Sequence, residues 1–138
     1  MTAKQKIEGL TRSWYGYSLF AAILSVLSFS TSGLFALVFG LGVSIALNAV
    51  ALVFSIAVVA FLGRKLATRS SATRTFLVVV SALFSALCAL ATLEGVWTFF
   101  GAWSIASACG IVMTACCTML NVRSFRVLTE TSVRAYFV

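Results

Sequence analysis

Residues 14–63 contain no charged side chain. As one helix, at 1.5 Å per residue, that stretch would be about 75 Å long, against a bilayer hydrocarbon core of about 30 Å. A chain of this kind must enter a membrane, turn, and return. Two more charge-free runs follow, 75–93 and 95–122, each long enough for one crossing. The pattern predicts an all-α fold, an integral membrane four-helix bundle with four spans and very short outer turns.

The whole sequence is 138 residues, 62% hydrophobic and 9% charged, far from the balance of a soluble domain. Four spans consume nearly all of it. Residues 1–138 are therefore read as a single membrane domain. Residues 1–13 form an amphipathic cytoplasmic segment, and residues 123–138 a cytoplasmic tail.

The net charge of +7 comes from ten Lys and Arg, all outside the apolar runs. Lys4, Lys6 and Arg12 precede the first span. Arg64, Lys65, Arg69 and Arg74 lie between the second and third. Arg123, Arg126 and Arg134 follow the fourth. Lys/Arg-rich segments stay on the cytoplasmic side, so both termini and the 63–74 connection are expected there. This placement argues against a nucleic-acid partner. Lys4, Lys6, Arg12, Arg64, Lys65, Arg69, Arg74, Arg123 and Arg126 are expected to meet anionic lipid headgroups. No A-x-A cleavage site ends the first apolar run, so the first span is expected to serve as an uncleaved anchor.

Local signals set provisional boundaries. Lys4, Glu8 and Arg12 share one helical stripe, and Ile7, Leu10 and Trp14 another, so residues 4–13 read as an amphipathic helix. It either lies on the membrane surface or runs straight into the first span, about 14–29. A polar turn is placed at Ser30, Thr31, Ser32 and Gly33, with Gly40, Leu41 and Gly42 as its rival. The second span is about 34–62 and the third about 75–91, with 63–74 read as a basic inner loop or as cytoplasmic extensions of either helix. Thr92, Leu93, Glu94 and Gly95 read as a tight outer turn stopped by the glycine. The fourth span then runs about 96–122, with Trp97, Phe99, Phe100 and Trp103 at its outer interface. In the tail, Arg123, Arg126, Glu130 and Arg134 make a helical stripe, while Val127, Thr129, Thr131 and Val133 alternate as in a strand. A surface-lying helix is preferred.

Small residues recur along every span. Ser18, Ala21, Ser25, Ser28 and Ser32 mark the first, and Ala36, Gly40, Ser44 and Asn48 the second. Ser81, Ser85, Cys88 and Thr92 mark the third, and Ala102, Ala106, Gly110, Thr114 and Thr118 the fourth. Small-xxx-small stripes let helix backbones approach closely. Ser25, Gly40, Ser44, Asn48, Ser81, Ser85, Ala106, Gly110 and Thr114 are therefore expected to pack helices or to line a pore. Asn48 is the strongly polar group nearest a midplane and needs hydrogen-bond partners, because lipid offers none.

Chemistry is scarce. The chain has no histidine, and none of its three acids lies within a span. No nucleophile–base pair is visible, so no enzyme activity, catalytic residue, cofactor or metal site is expected. Cys88, Cys109, Cys116 and Cys117 all fall inside spans, which argues against a disulfide framework. Two functions remain. The preferred one is a non-catalytic structural or accessory subunit that joins copies of itself or other membrane subunits. The alternative is an oligomeric pore, channel or small transporter lined by Asn48 and Ser/Thr groups. Which way the polar stripe faces separates them.

Overall fold

A computed structural model describes residues 2–30, 34–101 and 103–137, with side chains for 2–27, 42–43, 45–101 and 103–137. Four long helices follow one another: α1 (Ala3–Ser30), α2 (Leu34–Ala67), α3 (Ser71–Gly101) and α4 (Ile105–Thr129). A single turn α5 (Thr131–Arg134) and a 3-10 turn (Ala135–Phe137) complete the tail. The protein is 94% helical, with no strand among the described residues. Three stretches are long and apolar enough to cross a membrane: Ile45–Ala67, Ser71–Gly101 and Ile105–Thr129. Such helices suggest a lipid bilayer as the surroundings.

The starts of α1, α3 and α4 each have a local cause. Thr2 and Gln5 form a reciprocal capping box: the Gln5 N–H donates to Thr2 Oγ1 at 3.4 Å, and the Thr2 N–H to Gln5 Oε1 at 3.0 Å. The Ser70 hydroxyl accepts the Thr73 N–H at 3.3 Å ahead of α3. Ser104 does the same for Ser107 at 3.1 Å ahead of α4. At the end of α2 the chain closes with Arg69 N–H to Leu66 C=O (3.1 Å) and Ser70 N–H to Lys65 C=O (3.2 Å). This double bond pattern needs a left-handed residue, and Arg69 takes that role at φ 58°. The connection between α2 and α3 is thus much shorter than the 63–74 loop read from sequence, because both helices extend into it.

Three expectations need correction. First, Thr92, Leu93, Glu94 and Gly95 are not a turn. α3 runs through them to Gly101, and α4 starts at Ile105 rather than near residue 96. Gly95 is a packing position: a Cβ there would sit 3.1 Å from Ile111 Cγ1. Trp97, Phe99 and Phe100 accordingly belong to the end of α3 and Trp103 to the connection after it, with the Phe99 and Trp103 rings 5.1 Å apart. Second, Gly63 does not begin a loop. It lies within α2, and an added Cβ would meet Thr11 Cγ2 of α1 at 3.0 Å. Both glycines remove a side chain so that two helices can approach, a use that looks like punctuation in a linear sequence. Third, the tail is not a surface-lying helix. α4 carries Arg123 and Arg126, Glu130 breaks it in an extended conformation (φ −61°, ψ 138°), and the last residues fold back.

Other boundaries agree more closely. Residues 4–13 run straight into the rest of α1, with Ile7 and Leu10 buried and Lys4, Glu8 and Arg12 exposed. The expected turn at Thr31, Ser32 and Gly33 lies outside the described residues. The rival site at 40–42 is continuous helix.

The spatial order is α2–α1–α4–α3. α4 packs on α3 along much of its length and on α1, and α1 packs on α2, while α2 and α3 barely meet. Among the described residues the array is therefore open along most of its α2/α3 side. Its apolar core is not midway along the helices. Ile7, Leu10, Leu66, Leu77, Leu128, Val133 and Phe137 form one buried cluster where α1 and α3 begin and α2 and α4 end. Leu66, Leu128 and Val133 have no exposed surface at all. The tail supplies two members of that cluster, closing the end of the bundle like a plug.

Candidate functional site: a polar seam and a basic end

The antiparallel helices bring the three basic segments together around this core, so all ten Lys and Arg stand at one end of the molecule. Several are engaged in the fold. Lys6 pairs with Glu130 and donates to Ser132 Oγ at 3.2 Å, tying α1 to the tail. Arg74 Nε donates to the Leu128 carbonyl at 2.9 Å, satisfying an orphan acceptor in the last turn of α4. The Arg69 guanidinium lies over the Tyr136 ring, 4.5 Å from its centroid, and the Lys65 ammonium stands 5.7 Å from that of Phe61. Lys4 makes a loose pair with Glu8 at 3.9 Å. Arg12, Arg64, Arg123 and Arg126 are exposed.

The Lys6 ammonium holds the Glu130 carboxyl below its ordinary value of 4.5. A depressed folded-state pKa means stabilisation that is present near neutrality and lost as pH falls through that lowered value. Protection of residues 131–137 against amide exchange is therefore expected to drop selectively below about pH 4.5. In Glu130→Gln the drop should vanish, with the tail less protected already at pH 7.

A seam of polar side chains runs along the inner faces of the helices. Ser18 and Ser55 hydroxyls lie 2.7 Å apart and join α1 to α2. Trp14 Nε1 donates to Ser124 Oγ at 2.9 Å, and the Tyr17 hydroxyl donates to the Met113 carbonyl at 3.4 Å, joining α1 to α4. Cys88 and Cys117 sulfurs lie 3.2 Å apart between α3 and α4, and Asn121 Nδ2 reaches Cys117 Sγ at 3.3 Å. Among the described residues no buried side-chain N or O lacks a partner. Trp14, Val59, Leu77, Ser81, Asn121 and Ser124 surround a cavity of about 120 Å³ where the four long helices converge.

The residues singled out from sequence distribute unevenly about this seam. Ser25 is half-buried and faces Met113, its Oγ 3.9 Å from the sulfur. Ser81 is buried at the cavity, bonded to the Val78 carbonyl at 3.1 Å. Ser85 returns its hydroxyl to the Ala82 carbonyl at 2.8 Å, and Thr114 returns its own to Gly110 and Ile111 at 3.1 Å. Asn48 is half-buried on the stripe of α2 that carries Ser55, Val59 and Leu66. Ala106 is half-buried, whereas Gly110 is exposed, with nothing within 4 Å of where its Cβ would stand. Gly40 and Ser44 lie within α2, and their surroundings are outside the described residues. Sequence reasoning missed the Trp14–Ser124 and Ser18–Ser55 pairs. Ser18 was on the stripe, but a stripe does not say which helix it meets.

A hollow opens at the basic end, a groove of about 740 Å³ between α1 and α2. Lys4, Arg12 and Arg69 edge it, with Glu8 as its acid. Tyr15 and Tyr136 stand on its walls, and Gly63 and Ala67, one turn apart on α2, also line it.

Fold and site together define the class: an all-helical chain with three membrane-competent helices, a polar interior and a cationic end. No family model, curated protein or solved structure matches it.

Proposed function

We propose that this chain is a non-catalytic, four-span membrane subunit with both termini cytoplasmic, which assembles with copies of itself or with other membrane proteins. The membrane frame follows from helix lengths and charge. From Arg12 to the end of α1 at Ser30 is about 27 Å, from Arg74 to Glu94 along α3 about 30 Å, and from Ser104 to Arg123 along α4 about 28 Å. Each matches one hydrocarbon thickness. In that frame α1 is the fourth span, the ten cations lie on the cytoplasmic face, and Glu94 reaches the opposite headgroups.

The observation that carries the assembly reading is the open α2/α3 side of the array. A closed bundle would satisfy each helix with two neighbours, but among the described residues α2 and α3 each have one extensive partner. Gly110 adds a second bare spot on α4. The interior polar groups support glue rather than a lumen: the Ser18–Ser55 and Trp14–Ser124 pairs hold helices of one chain, each worth about 0.6 kcal/mol in lipid. Asn48 shares the α1-facing stripe with Ser55.

Extraction in a mild detergent, followed by mass measurement, should give an oligomer or a complex of defined composition. A homogeneous monomer without a partner overturns assembly. Impermeant thiol labelling of single cysteines placed at Thr2, Ser70 and Thr131 should mark one compartment only. Labelling of Ser70→Cys from the side opposite to the termini would overturn the topology.

A further inference from the structure

From the groove between α1 and α2 we infer a binding site for one anionic phospholipid, its phosphate held between Arg12 and Arg69 and its chains following the α1/α2 cleft. The inference rests on the membrane frame proposed above, which sets this end of the helices at a headgroup plane. Three features distinguish it from a generally basic surface.

The first is shape. The small side chain of Ala67 keeps one wall of the groove low beside the close contact of Gly63 with Thr11, and the hollow of about 740 Å³ is in the size range of ligand sites. The second is charge. Lys4, Arg12 and Arg69 outweigh Glu8, so the lining is net cationic, as a phosphodiester requires. The third is preparation. Arg69 is held in a left-handed conformation by the end of α2, and Tyr136 stacks against its guanidinium. A guanidinium stacked by its face keeps its edge N–H donors for an oxyanion. Tyr136 is placed by the buried tail, so the plugged core and the groove are built from the same turn. Above the groove, Tyr15 and the exposed Leu19 continue along α1 and offer apolar surface to an acyl chain. A free phosphate would leave that surface unused, which favours a lipid.

The test is native mass spectrometry of the detergent-purified full chain with equimolar phosphatidylglycerol and phosphatidylcholine. The wild type should retain one phosphatidylglycerol in preference, undisplaced by millimolar inorganic phosphate. Arg12→Gln combined with Arg69→Asn, where asparagine tolerates the left-handed backbone, should lower retention about thirtyfold, as expected for two cations at a lipid surface. Ala67→Phe fills the groove without changing charge and should also abolish preferential retention. Arg64→Gln with Lys65→Gln, beside the groove, should change it no more than about twofold. Equal retention of both lipids by the wild type overturns the site, as does wild-type retention by Ala67→Phe. So does an equal loss in the 64/65 and 12/69 pairs, which would mean diffuse attraction only. An inverted orientation would leave the lipid preference intact, so failure of the topology and failure of the site are separable.

Discussion

Leu66→Ala is expected to lower the stability of the detergent-solubilised protein by about 2–5 kcal/mol, the range for emptying a fully buried leucine site. Leu66 has no exposed surface and touches the cluster in which Ile7, Leu10, Leu77, Leu128 and the tail meet. The same truncation at Leu47, five turns away on the same helix and 64% exposed, should change stability by no more than about 0.5 kcal/mol. Thermal unfolding of both variants checks the pair. The contrast matters because ordinary intuition for a membrane helix assigns the greater role to the central leucine. Here the apolar surface near midspan faces outward, where lipid replaces protein at little cost. In the membrane frame proposed above, water reaches the basic end, so the hydrophobic effect can drive helices together there. Equal effects at the two positions would show that the core is not at that end.

Val133→Asp should release the tail. Val133 is fully buried, and an unpaired carboxylate in its place has no partner within the cluster. The chain can escape that cost by undocking residues 131–137. The penalty is then limited to the burial of Val133 and Phe137, about 1.5–3 kcal/mol for each side chain. Amide exchange should show residues 131–137 losing protection while the α1–α4 ladders remain closed. The Arg69–Tyr136 stack would be lost with the tail, so retained phosphatidylglycerol should fall in the same variant. Unchanged tail protection would mean that the plug is not anchored through Val133.

Much of the architecture is legible in the linear chain. Runs without charge imply long helices, since an unpaired backbone in lipid has nothing else to bond to. The positions of Lys and Arg at alternate connections imply that one end is basic. Ile7 and Leu10 announce their burial by falling on one stripe away from Lys4, Glu8 and Arg12. The N-cap at Ser104 is not legible in this way, because Gly95 is a more conspicuous stop nine residues earlier and a fourth span of about 96–122 runs through the serine. Glycine is ambiguous in that way: the missing side chain serves a turn or a close helix contact equally well, and only the presence of Ile111 opposite decides. The tail misled for a related reason. Its helical stripe of Arg123, Arg126, Glu130 and Arg134 is real as a pattern, but Lys6 captures Glu130, and Val133 and Phe137 gain more by burial than a surface helix would provide.

Local rules, acting between neighbours in sequence, determined that this protein is helical, that its helices are membrane-length, and that its cations gather at one end. Which helices touch was decided only in three dimensions. Stripes of small residues occur on every long helix, and van der Waals contact between them is nearly indifferent to the partner. The choice of α1 against α4, with α2 and α3 left apart, came from pairings of residues far apart in sequence: Trp14 with Ser124, Ser18 with Ser55, Cys88 with Cys117, and the tail with the start of α1.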